Sequence, residues 1–347
     1  MKNNSQKTLL VLFILSLFSI TVYAGNYAWT GSTSVSWSNS ANWSPTGVPS
    51  TNDSVTISNH TNNPELSSNT TVKKITVNSG TLNLKTYTLT VSTYGNFNGG
   101  SVNNGLLYST GAINVLFSGT TFGARVRMSG TTTSLNGSTF NDSLIITKLN
   151  KANVSSIGGN TFNGYVSYTN TARGTIVFSD SLPDIFNSTF VVTNTDTGTF
   201  YLAHRGTGNQ FNGDVKVHGK KTYFNYYGTA TFGGNIFLYS PAGEIYFGYS
   251  TGSSTLVSGK TITLDSTLSS GNLYFRNFTQ SGSGNLNFAL TGSAPIFFES
   301  GSTFNAALTC SSPFLYLNGS RFLGSSSFTN ESTANVTSLG GCYFGEQ

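Results

Sequence analysis

From Gly119 onward, apolar and polar positions recur in short bursts and not in helical stripes. A Gly-x-x-Phe step ends at Phe122, Phe140, Phe162, Phe211, Phe304 and Phe322, with a looser copy at Phe232. Neighbouring copies stand about 18 to 24 residues apart, the length of one turn of a β-solenoid. Two short strands are predicted in each turn. The first follows the Phe, as in residues 214–217 (Asp-Val-Lys-Val) and 235–238 (Asn-Ile-Phe-Leu). The second reads Gly-x-hydrophobic-x-hydrophobic, as in 174–178, 198–202 and 243–247. Period-two alternation turns the first and last apolar residues of that second strand inward and the middle one outward.

A longer period contains the short one. Residues 119–164 and 301–346 align without a gap at a constant offset of 182, sharing Leu-Asn-Gly-Ser at 135–138 and 317–320 and Ala-Asn-Val at 152–154 and 334–336. The Phe pairs 122/304, 140/322 and 162/344 recur at the same offset. An ungapped repeat of this length requires a backbone that returns to the same shape, as stacked turns do. The expected fold is all-β, a parallel β-solenoid resembling a right-handed β-helix, of roughly a dozen turns.

If the turns stay in register, Val177, Tyr201, Tyr223, Tyr246, Tyr274, Phe297 and Tyr316 form one outward column. Its members are expected about 4.8 Å apart, the spacing of neighbouring strands. Six consecutive aromatics in a column have three readings: rings stacked on one another to stabilise the sheet, a platform for a glycan, or a docking surface for another protein.

The first 24 residues follow a different pattern. Lys2 and Lys7 precede an apolar run from Leu9 to Ile20, and Val22, Tyr23 and Ala24 lie where a signal peptidase reads. Residues 1–24 are thus expected to be a signal peptide, with a secreted or cell-surface product and no later transmembrane segment. Loss of Lys2 and Lys7 lowers the formal charge from +5 to +3. Only 8% of residues are charged and the basic ones are scattered, which argues against nucleic acid as a partner. The 13% aromatic content with regular alternation separates the chain from disordered sequences of similar Gly, Ser, Thr and Asn content. Cys310 occupies the inward position of Met128 in the other copy, and Cys342 that of Asn160, so no disulfide is expected.

Residues 25–70 read as an N-terminal cap and 71–347 as solenoid repeats, with no linker between them. The cap holds all three tryptophans, Trp29, Trp37 and Trp43. A bulky aromatic segment laid over the first turn would protect its unpaired edge; the same indoles are alternatively a sugar site. Beyond it, Ile75 and Val77, Leu82 and Leu84, and Leu89 and Val91 mark strands, Gly80 and residues 85–87 mark corners, and residues 97–111 are expected as a looser turn. The order Trp-Thr-Gly (29–31), Trp37, Asn-Trp (42–43), Val-Pro (48–49) and Asp-x-Val-x-Ile (53–57) resembles the start of secreted, repetitive, adhesin-like surface proteins of Bacteroidetes. That resemblance covers Tyr27 to about Val91 and implies a β-rich surface protein without implying an activity. The chain stops at Gln347 just after opening another turn, as a truncated array would, or one whose open edge is met by self-association.

Chemistry has few candidates among twelve acidic residues and three histidines. Asp180 and His204 each lie two residues past the inward end of a second strand, so they are expected as neighbours on adjacent turns, with Arg205 and Asp184 nearby. A polysaccharide hydrolase would need two carboxylates, and Asp180 with Asp184 are the local pair. His60 has no visible partner, and His218, Lys220 and Lys221 read as a turn. No Cys/His spacing suits zinc, and no metal or cofactor is expected. The reading is a non-enzymatic secreted or surface protein acting in adhesion or as a structural layer, with polysaccharide or surface glycan as partner through Tyr201, Tyr223, Tyr246, Tyr274, Phe297 and Tyr316. The alternative is a β-helix polysaccharide lyase or hydrolase.

Overall fold

The computed structural model describes residues 24–345 except 110, 112, 240–242, 266–270, 291–292 and 332–339. The expected signal peptide lies outside the described residues, Ala24 excepted. The chain is a parallel β-solenoid. Among the described strands every pairing is parallel except that of Trp43–Ser44 with Asn26–Trp29.

Each turn carries three strands where two were expected. One turn runs Thr161–Phe162, Val166–Asn170, Ile176–Val177, and the next begins at Ile185–Phe186. The Phe of Gly-x-x-Phe does not merely open the turn, because it lies in a short strand of its own. Those short strands stack into a 13-stranded sheet. Over most of the chain the other two faces merge into a 20-stranded sheet, because strands such as Phe190–Tyr201 bend through the corner. The start of that strand pairs with Val166–Asn170 and its end with Ile176–Val177. Leu286–Ala289, Leu308–Ser312 and Ser326–Asn330 instead form a separate three-stranded sheet.

Parallel register carries like residues onto like. Phe122, Phe140, Phe162, Phe186, Phe211 and Phe232 follow one another in direct register. Their rings stack nearly parallel with centroids 4.5–5.4 Å apart, and all are buried. Phe186 completes this ladder without a Gly-x-x-Phe signature. Residues 97–111 are not a looser turn: they contain Ser101–Asn103 and Leu106–Tyr108, each paired on both sides.

The long repeat is a repeat of backbone conformation. Gly119, Gly137, Gly158 and Gly159 have φ of 59°, 65°, 94° and 76°, and their counterparts Gly301, Gly319, Gly340 and Gly341 have 80°, 71°, 83° and 75°. A side chain is strained in that left-handed region, so the two copies keep glycine where the corner turns that way. The bridges Asn136–Gly158 and Asn318–Gly340 recur at the same offset.

At the start, Asn26–Trp29 pairs with Ser54–Ile57, which pairs with Thr70–Val77. The Trp-rich segment is therefore continuous with the stack. Trp43 packs edge-on against Trp29 and Trp37 at 4.9 and 4.7 Å, and all three indoles are buried. Cys310 is buried and neither it nor Cys342 is in a disulfide.

The ladder predicts a severe effect from one substitution. Phe211 is sandwiched between Phe186 and Phe232, so Phe211→Asp places a charge in a dry stack. The expected outcome in thermal circular dichroism is a midpoint lowered by at least about 10 °C, with Phe211→Leu costing less than half as much. A midpoint left unchanged by the Asp variant would overturn this register.

Candidate functional site

The outward column forms as the spacing predicts. Val177, Tyr201, Tyr223, Tyr246, Tyr274, Phe297 and Tyr316 are successive register partners. The six aromatic rings stack at centroid distances of 4.8, 4.5, 4.3, 4.4 and 4.4 Å with interplanar angles of 3–13°. Parallel rings this close overlap face to face, because coplanar rings would collide.

A second set of side chains lies beside the column. Tyr226 and Tyr249 each come two residues after an inward Phe, at Phe224 and Phe247. This is the same spacing that places Asp180 beside His204, so the second set of rings is legible in the sequence. Tyr226 stacks on Tyr249 at 4.8 Å and meets His204 at 5.4 Å. Rings that repeat about every 4.8 Å from strand to strand but touch at about 3.6 Å must lean by about 40°. Two ladders leaning in opposite senses then meet at about 80°. Tyr226 and Tyr249 do meet Tyr201, Tyr223 and Tyr246 edge-on at 74–86°.

This packing changes the role of one predicted residue. Tyr223 is not an exposed contact: only 5% of its surface is open. Tyr201 and Tyr246 cover its faces, the edges of Tyr226 and Tyr249 abut it, and the Lys221 ammonium lies 5.7 Å from its ring centre. Tyr201, Tyr246, Tyr274, Phe297 and Tyr316 are half-buried.

At one end of the second ladder the ionisable candidates meet. His204 Nδ1 lies 2.7 Å from Asp180 Oδ1, Arg205 donates to the same oxygen at 3.4 Å, and Ser155 Oγ donates to Asp180 Oδ2 at 3.0 Å. Burial works to raise the Asp180 pKa, but the bonds from His204 and Ser155 and the nearby charges outweigh it and hold the carboxyl below its ordinary range. Because Ser155 bonds the carboxylate and not the imidazole, the three do not form a nucleophilic relay.

The second carboxylate expected for hydrolysis is elsewhere. Asp184 is fully buried and faces the interior. Its Oδ1 accepts from the Asn160 backbone N–H and side-chain amide at 2.8 and 2.9 Å, and Oδ2 accepts from Ser179 Oγ at 2.7 Å. It belongs to a corner ladder in which each side chain accepts from the backbone N–H of the preceding turn. Ser138 serves Thr120, Asn160 serves Ser138, Asp184 serves Asn160 and Asn209 serves Asp184. Position before the Phe strand, not proximity to Asp180, decides its direction.

The other basic candidates also differ from expectation. His218, Lys220 and Lys221 lie within the strand Val215–Tyr223 and not in a turn. His218 stacks on Tyr239 at 4.2 Å, and Lys221 pairs with Glu244 at 2.9 Å. Among the described residues, no group of three His, Cys, Asp or Glu side chains gathers as a metal site. No helix among them is long and apolar enough to cross a membrane.

Residues 28–104 match a family model described as a domain of unknown function, DUF8693. No curated protein and no solved structure matches the chain.

Asp184 makes the fold pH-dependent. Burial pushes its pKa up to about 6, against the opposing bonds from Asn160 and Ser179. A raised carboxyl pKa means that the folded state holds the proton more tightly than the unfolded chain. Its effect is thus most favourable below about pH 4, is lost as pH rises to about 6, and is constant above that, a change of roughly 3 kcal/mol. Asp184→Asn keeps the amide-type ladder and removes the charge. Denaturant titrations from pH 4 to 7 should show a flatter stability profile and higher stability at pH 7 in the variant; parallel profiles would contradict this assignment.

Proposed function

We propose that the chain is a non-enzymatic β-solenoid rod of a secreted or cell-surface layer, acting in structure or adhesion, with its aromatic ladders as stabilisers of the rod. The observation that carries this reading is the face-to-face stacking of Tyr201, Tyr223, Tyr246, Tyr274, Phe297 and Tyr316. A glycan platform offers ring faces to the sugar's C–H groups, whereas here each inner ring's faces lie against its own neighbours and its edge is what solvent meets. Uncharged side chains are ordered in the same way on the Phe face. Asn141, Asn163, Asn187 and Asn212 form an exposed amide ladder, each step donating at 2.8 Å to the turn before. Such a surface is rigid, neutral and repetitive, which suits lateral packing in a layer. The leader-like residues 1–24 support the export part of the reading. The likeness of the first segment to Bacteroidetes adhesin-like proteins supports its surface part.

The meeting of Asp180, His204 and Arg205 favours a second reading, a carbohydrate-active enzyme. It has an imidazole oriented by a carboxylate but a single outward carboxylate, which suits a general base better than a paired-carboxylate hydrolase.

These readings separate by experiment. For the chain 25–347, Tyr246→Ala and Tyr274→Ala should each lower the thermal midpoint by several degrees and leave retention on insoluble polysaccharides unchanged. Lost retention at an unchanged midpoint would replace the structural role with a glycan platform. Polysaccharide turnover that disappears in His204→Ala would replace the rod with the enzyme.

A further inference from the structure

The N-terminal segment contains a cleft that neither the aromatic ladders nor the Asp180 cluster uses. Its volume is about 290 Å³, near the lower end of the range for small-molecule sites of about 300–1,000 Å³. Three stretches build it: Trp37 with Ser38, the loop through Val48, Pro49 and Thr51, and the approach to the strand Thr70–Val77 at Ser68. The Trp37 backbone N–H donates to Glu65 O at 3.0 Å, and its indole packs edge-on against Trp43.

The lining decides the ligand class. No acidic or basic side chain contributes to it, so an ionic ligand would have no counter-charge. Val48 is the exposed apolar residue of the lining, Trp37 and Pro49 being buried, and hydroxyls and an amide make up the remainder. Alternating C–H and O–H groups are the matching ligand surface, which is that of a neutral sugar.

A second observation points the same way. Two of the three indoles have their N–H satisfied within the chain: Trp29 donates to Asn62 O at 2.7 Å and Trp43 to Trp37 O at 2.8 Å. The third, Trp37, lines the cleft, and its Nε1 is buried with no acceptor. A buried donor without a partner is costly, and a ligand oxygen would relieve it. Because neighbouring atoms cover that nitrogen, the oxygen reaches it only as rim side chains shift.

We infer that this cleft is a binding site for a neutral saccharide, with Trp37 Nε1 as donor to a sugar oxygen. The site is separate from the ladders, so it stands or falls independently of their role.

The test uses the fact that all three tryptophans lie in this segment, which makes indole emission a local reporter. The chain 25–347 is titrated with cellohexaose, xylohexaose, maltohexaose and chitohexaose, and with trigalacturonate as an acidic control. At least one neutral oligosaccharide should change the emission saturably. Trp37→Phe, which keeps a ring but removes the N–H, should weaken that binding about tenfold while the chain stays folded by circular dichroism, with the thermal midpoint lowered because the buried ring is smaller. Ser68→Arg, on the exposed rim, should abolish it, while Tyr274→Ala should not affect it. The inference is overturned if no neutral oligosaccharide binds, if only trigalacturonate does, or if binding survives either Trp37→Phe or Ser68→Arg at full strength.

Discussion

Parallel pairing at one strand spacing per turn is the constraint on which the rest of this molecule depends. Because each strand lies about 4.8 Å from its copy in the next turn, any residue type that recurs at a turn position must touch itself. Aromatic, amide and hydroxyl ladders are all consequences of that geometry. The inner Phe ladder supplies apolar burial, each large side chain contributing about 1.5 to 3 kcal/mol before conformational entropy is set against it.

The same constraint acts on the outside of the solenoid. Rings thinner than the strand spacing close the gap by leaning, and two adjacent ladders that lean in opposite senses meet edge to face. The edge-on meeting of Tyr226 and Tyr249 with the column is that arrangement. It buries Tyr223 on an outward-pointing position, so parity alone does not measure exposure.

At the corners the strands stop pairing and backbone N–H groups would otherwise be left in the interior. Side chains two residues ahead of the ladder Phe accept from them, and Ser, Asn and Asp all serve because each has an oxygen within reach. An Asp in such a ladder is structurally equivalent to an Asn but carries a charge that burial penalises. Asp184 is therefore explained by its place in the corner and not by catalysis.

The sequence by itself determined the solenoid, the in-register aromatic column and the meeting of Asp180 with His204, since all three follow from spacing within a periodic backbone. It also placed the tryptophans together at the start. The third strand of each turn was not legible, because Thr161–Phe162 and Ile185–Phe186 are too short to show alternation. The direction of Asp184, the burial of Tyr223 and the cleft beside Trp37 were decided by tertiary structure. Each depends on which side of a corner a residue falls, and on what neighbouring turns lay against it, and neither is encoded in the distance between residues along the chain.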